Sequence, residues 1–234
     1  GAVRADTRIA RPSRHLGLVQ AGEHPDLEAF LEVAADRMAA DLDLDAIMAD
    51  ATPSTGAAET GVATPPLPPL GQRIAIARDA AFAFSYPHVL DGWGRAGAEL
   101  SFFSPLGDEA PATDADAVYL PGGYPELHAP HLAAAHSFMD ALRAHAAAGA
   151  RIYGECGGYM VLGKSMMDAN GAHHQMAGLL PHETSFAEPK RHLGYRVATL
   201  LEETPLGPAG SVWRGHEFHY ASTVGPGNSE PLFQ

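Results

Sequence analysis

A single cysteine, Cys156, stands in the run Gly154-Glu155-Cys156-Gly157-Gly158. Residues 150–153 before it read as a short buried strand, and Tyr159-Met160-Val161-Leu162 after it read as the first turns of a helix. A strand, a tight glycine turn bearing the reactive residue and a helix make up a nucleophile elbow. The glycines permit the sharp turn and let a substrate approach the backbone closely. A helix N-terminus favours thiolate over thiol through its free N–H groups, so a lowered thiol pKa is expected. The plainer alternative, a small buried hydrophobe, is the common fate of a free cysteine. The flanking glycines weigh against it.

A second glycine turn, Pro121-Gly122-Gly123-Tyr124-Pro125-Glu126, follows another apolar strand. A thiolate that attacks a carbonyl carbon makes the oxygen negative, and N–H groups must already be aimed at it. The amides of Gly123, Tyr124 and Gly157 are the candidate oxyanion donors. Taken alone, Gly122-Gly123 reads equally as a plain tight turn. Further on, Arg214-Gly215-His216-Glu217-Phe218-His219-Tyr220 reads as a strand. Alternation puts His216 with Phe218 on one face and Glu217 with His219 on the other. Substrate contact, a structural role and a base remain open for these histidines. Their spacing does not fit the helical zinc-protease pattern, and no metal site is expected. The run from Gly158 to Ser165 formally satisfies G-x-x-x-x-G-K-S, but Tyr, Met, Val and Leu fill the positions where a phosphate loop needs small residues. Lys164 is then a solvated charge at a helix end.

The elements that must position these residues fall into three regions. Residues 1–51 carry a strand-like run at 14–19, a helix at 26–38 with Leu27, Phe30, Leu31 and Ala34 on one face, and a short helix at 44–51. One strand and two helices cannot close a core, so this region reads as the end of a domain whose body lies elsewhere. Residues 52–71, rich in proline, read as a linker. From 72 to 234 the chain alternates apolar strands (74–77, 100–103, 118–120, 151–153) with helices (87–96, 131–148). The part beyond Gln175 turns β-rich, with strands at 195–200 and 211–220. The pattern is α/β, a mostly parallel sheet with helices on both faces, whose ligands bind beyond the strands' carboxyl ends. The 234 residues carry a formal charge of −13, which argues against nucleic acid as a partner. One cysteine fits a reducing compartment. No apolar run is long enough for a membrane span, and the expected location is the cytoplasm. The first residue, Gly1, is expected to mark a processed chain or a piece of a longer one.

Taken together, the two glycine motifs, the His-Glu-Phe-His-Tyr run and His192-Leu193-Gly194-Tyr195-Arg196 resemble the glutamine amidotransferase domain of cobyrinic or hydrogenobyrinic acid a,c-diamide synthases. The resemblance is strong over 73–221 and extends to 12–19, which looks like the end of that family's ATP-binding domain. It implies a class I glutamine amidotransferase-like, flavodoxin-like fold. It also implies that Cys156 attacks the side-chain amide of L-glutamine and releases ammonia through a glutamyl thioester. Ammonia would serve an upstream ATP-binding domain, where ATP and Mg2+ activate the a and c carboxylates of a corrin; neither is expected on this chain alone. Tyr195, Arg196, His216, Glu217 and His219 are the implied corrin contacts, and a homodimer is an open assembly. The family's base is a histidine in a strand beyond the His-Glu-Phe-His-Tyr run, and no such segment precedes Gln234. The isolated chain is therefore expected to be catalytically incomplete. A stand-alone glutaminase-like hydrolase and a non-catalytic binding or dimerisation module are the alternatives. An ATPase would rest only on the match around Lys164.

Overall fold

The computed structural model describes residues 2–51, 67–224 and 230–234. It divides into two compact units, Gly1–Pro65 and Pro66–Gln234. In the first, the run at 14–19 is not one strand but a hairpin, β1 (Ser13–Arg14) paired with β2 (Gly17–Leu18). The positive φ of Gly17, 144°, lies in a region that favours glycine and accompanies this reversal. Helix α1 (Leu27–Asp41) starts where the Asp26 carboxylate accepts from the Ala29 N–H, and α2 (Leu44–Asp50) starts where Asp43 accepts from Ala46. No described residue of this unit is buried, and Leu31, Met38, Leu44, Ile47 and Met48 are exposed. The expected linker lies outside the described residues up to position 66.

The second unit is built on a sheet of four parallel strands, ordered β4 (Glu99–Phe103), β3 (Arg73–Ala77), β5 (Ala117–Leu120) and β6 (Arg151–Gly154). Beyond the exposed Arg73 at its edge, every residue of the two inner strands is buried, because both faces are covered. On one face Ile74, Ile76, Ala117 and Tyr119 pack with Leu90 and Trp93 of α3 (Pro87–Arg95) and with Leu70. The Trp93 indole N–H donates to the Pro68 carbonyl at 3.1 Å, so the residues just before β3 are packed onto this face. On the other face Ala75, Ala77, Val118 and Leu120 meet Phe138, Met139 and Leu142.

The stretch at 131–148, expected as one helix, is two: α4 (Ala129–Ala134) and α5 (His136–Ala147), with Ala135 at ψ 75° between them. Asp108 causes the break. Its carboxylate accepts from the Phe138 N–H and the Ser137 hydroxyl, both at 3.0 Å, and so caps a new helix start. After β6 comes α6 (Gly157–Leu162), then a small mixed sheet of β7 (Ser165–Met167), β8 (His173–Gln175) and β9 (Glu183–Ser185). His173 and His174 belong to β8. The ribbon of β10 (His192–Thr199) and β11 (Val212–His219) follows, and β12 (Ser222–Val224) returns to pair with β9. Residues 232–234 hydrogen-bond to 199–201 at the end of β10. Among the described residues no helix is long and apolar enough to cross a membrane.

Candidate active site

Neighbouring strands β5 and β6 end side by side, and both glycine turns rise from these ends. The Glu155 N–H donates to the Leu120 carbonyl at 3.0 Å and the Gly158 N–H to Glu155 at 2.9 Å, which folds the chain sharply at Cys156. Cys156 itself stands at φ 53°, ψ −111°, a backbone conformation that costs a non-glycine residue of the order of 1–3 kcal/mol. Such strain is held only where the surroundings enforce it. A Cβ on Gly158 would overlap the Leu120 carbonyl oxygen, and one on Gly154 would lie 2.7 Å from the Gly158 carbonyl carbon. A Cβ on Gly122 would stand 3.1 Å from that of Cys156. The two turns are thus pressed together, and glycine is what allows it.

The sulfur is half-buried and meets the backbone N–H groups of Gly157 and Gly123. Burial pushes the thiol pKa up; those two amides pull it down, and the carboxylates of Glu155 and Glu126 push it up again. The net direction is upward, which corrects the expectation from the helix N-terminus alone. Desolvation of the thiolate outweighs the N–H groups. Of the candidate oxyanion donors, Gly123 and Gly157 therefore reach the sulfur. Tyr124 follows directly, its ring buried edge-on against Phe84 with centroids 5.2 Å apart.

Several residues that sequence reasoning passed over build the floor of this site. Asp79 accepts from the Ala81 N–H at 2.8 Å, the Leu106 N–H at 2.8 Å and the Ser104 hydroxyl at 3.1 Å. It thereby ties the loops after β3 and β4 together. The resulting turn lies directly under Gly123, where a side chain would strike the Ala81 carbonyl. Phe84 donates its N–H to Gly122 at 2.9 Å. Glu155 is half-buried among Tyr86, Tyr119 and Tyr153. Burial raises its carboxyl pKa, while the donating Tyr86 hydroxyl and the charge of His216 pull it back. Tyr86 in turn is pushed up to about 12 by burial, with the Glu155 charge adding to it. An aspartate after an apolar strand is a legible turn signal; the encounter of His216 with Glu155 needs the tertiary fold.

The ribbon residues divide by face. Tyr195 stands opposite His216 in the register, and Gly194 opposite Glu217. Leu193, Tyr195, Val197 and Val212 are exposed on one face, with Tyr195 at 92%. On the other, Arg196 pairs with the outer oxygen of Glu217, whose inner oxygen lies 2.8 Å from Nε2 of His219. His219 and Arg196 hold the Glu217 carboxyl below its usual range. The formal phosphate-loop match does not fit a nucleotide: Gly158 to Leu162 are helix, wedged against Leu120, and Lys164 is exposed.

Residues 73–234 match the family described as the CobB/CobQ-like glutamine amidotransferase domain. The chain belongs to this family. Among its curated relatives are proteins named hydrogenobyrinate a,c-diamide synthase from Brucella anthropi (56% identical, covering 100% of this chain and 53% of the relative) and Rhizobium meliloti (56%, 100% and 53%). A third, from Mesorhizobium japonicum, is 55% identical over 99% of this chain and 52% of its own length. The chain spans about half the length of the curated relatives it matches. In this amidotransferase domain the expected parallel α/β sheet and the resemblance drawn from the motifs are both borne out.

Proposed function

We propose that this chain is the glutamine-hydrolysing part of a cytoplasmic ATP-dependent ligase that amidates the a and c carboxylates of hydrogenobyrinic or cobyrinic acid. The relatives' name and the family match support the substrate class. The observation that carries the chemistry is the sulfur of Cys156 lying against two backbone N–H groups at the end of the sheet. In this reading Sγ attacks the amide carbon of glutamine, and the N–H groups of Gly123, Tyr124 and Gly157 receive the negative charge on the oxygen. The C–N bond breaks, ammonia leaves with a proton, and the glutamyl thioester is hydrolysed by water to glutamate. Because burial favours the neutral thiol, a base must take its proton as substrate binds. The resemblance gives that role to a histidine in the C-terminal part of the family.

ATP and Mg2+ act in an upstream domain in this proposal, whose end is the unit at 2–51 with its uncovered apolar helix faces. The exposed face of Leu193, Tyr195, Val197 and Val212, edged by His216 and Arg214, suits a flat apolar macrocycle bearing carboxylates. Arg196, Glu217 and His219 are engaged with one another on the opposite face, so corrin contact is assigned first to Tyr195 and His216. A second copy of the chain is the competing occupant of that face.

Treatment with a glutamine-analogue electrophile, 6-diazo-5-oxonorleucine, tests the reading. A glutamyl-type adduct on the Cys156 peptide, absent from Cys156→Ala, is expected in mass spectra. In the full synthase, ammonia release should fall by about a thousandfold or more in that variant. Alkylation of Cys156 by iodoacetamide in the full synthase without any reaction with the glutamine analogue would sink the glutaminase assignment.

A further inference from the structure

We infer that His192, Glu217 and His219 form a site for one borderline divalent cation of the zinc class at the base of the β10–β11 ribbon. One ligand atom from each of the three lies within 4.8 Å of the other two, and all three residues are half-buried. The register explains the convergence. His192 is paired directly with His219 at the first rung, and Glu217 shares the face of His219 two residues away. Opposite Glu217 stands Gly194, which places no side chain between the carboxylate and the two rings.

The hydrogen bonds of His219 point the same way. Its Nδ1 lies 2.9 Å from the Ala221 carbonyl oxygen, which can only accept, so the proton sits on Nδ1. In the neutral ring Nε2 then carries a lone pair, yet it faces the Glu217 Oε1 at 2.8 Å. Two electron-rich atoms at that separation repel unless a positive centre, a proton or a metal ion, lies between them. The distribution of the remaining partners suits the metal. A backbone carbonyl on the far nitrogen is the outer contact that fixes the tautomer of metal-binding histidines. Arg196 occupies the other carboxylate oxygen, leaving Oε1 as a single ligand. Next to this pair the ring of His192 lies almost parallel to that of His219, 13° apart with centroids separated by 4.7 Å.

Two imidazoles and a carboxylate are the donor set of zinc-type ions rather than of Mg2+, which prefers oxygen and water. Tetrahedral coordination at about 2.0–2.1 Å would bring the ligand atoms to roughly 3.4 Å from one another. Coordination would therefore open the Glu217–His219 contact from 2.8 Å, draw His192 inward and turn its ring out of the near-parallel stack, movements about the broad terminal torsions of these side chains. The ion would clamp the ribbon at the rung where it leaves the body of the domain. None of this uses glutamine or Cys156, so the site stands or fails independently of the glutaminase reading.

Calorimetric titration of the chelator-treated full chain with ZnCl2 tests it, with Co2+ as the optical probe. One Zn2+ per chain is expected at micromolar affinity or tighter, with a visible Co2+ band of four- or five-coordinate intensity. His192→Ala and His219→Ala should each weaken binding at least a hundredfold, and Glu217→Gln about ten- to a hundredfold. His216→Ala, on the opposite face of the ribbon, should leave it unchanged. Melting curves without metal report whether each variant folds; if His219→Ala does not, His192→Ala and the Co2+ band decide. Absence of stoichiometric uptake overturns the proposal, since a shared proton then accounts for the short contact. Undiminished binding in His192→Ala also overturns it, because the ion then sits on other histidines among the 13.

Discussion

Cys156 is caught between opposing influences, and their balance can be measured. Desolvation and two neighbouring carboxylates raise its pKa, and the amides of Gly157 and Gly123 lower it. A raised pKa means less thiolate at neutral pH, so alkylation by iodoacetamide should accelerate as pH rises, with a midpoint above that of a cysteine in an unfolded peptide. Glu155→Gln removes one of the negative neighbours, and its midpoint should fall below that of the parent chain. A parent midpoint below that of the free peptide would mean that the helix N-terminus prevails after all. The direction was not legible in the sequence. Gly157 and Gly158 advertise a helix start, but the residues that exclude water from the sulfur arrive from other strands.

At the scale of the elements, the site depends on how closely β5 and β6 let their turns approach. Gly158→Ala would push a methyl group into the Leu120 carbonyl. A loss of about 2–4 kcal/mol in chemical denaturation is expected, together with loss of labelling by the glutamine analogue. Gly92→Ala is the control: nothing lies within 4 Å of its would-be Cβ inside α3, and it should gain up to about 1 kcal/mol of helix propensity. Equal effects of the two substitutions would show that the close packing of the elbow is not limiting. The strands at 74–77 and 118–120 could be read from sequence because burial on both faces leaves an unbroken apolar run. The break at Ala135 could not, since no proline or glycine marks it and the capping carboxylate, Asp108, belongs to a distant loop. The meeting of His192 with His219 was hidden for a similar reason. Strand alternation sorts residues by face, but only the register pairs them across a ribbon.

At the scale of the whole molecule, the two units differ in what they bury. The second has apolar clusters on both faces of its sheet, whereas no described residue of the first is buried. Amides in α1 and α2 should therefore exchange with solvent near the rate of a fraying helix, orders of magnitude faster than those of β3 and β5. Comparable protection in both units would reveal a core in residues 2–51 that burial does not disclose. The contorted backbone at position 156 has a consequence for the stability of the whole fold. A glycine there would relax the turn and make the molecule sturdier, at the cost of its one thiol. If the proposed glutaminase chemistry holds, robustness and reactivity therefore pull against each other at this one position: Cys156→Gly should melt later than the parent chain and take up no glutamine analogue.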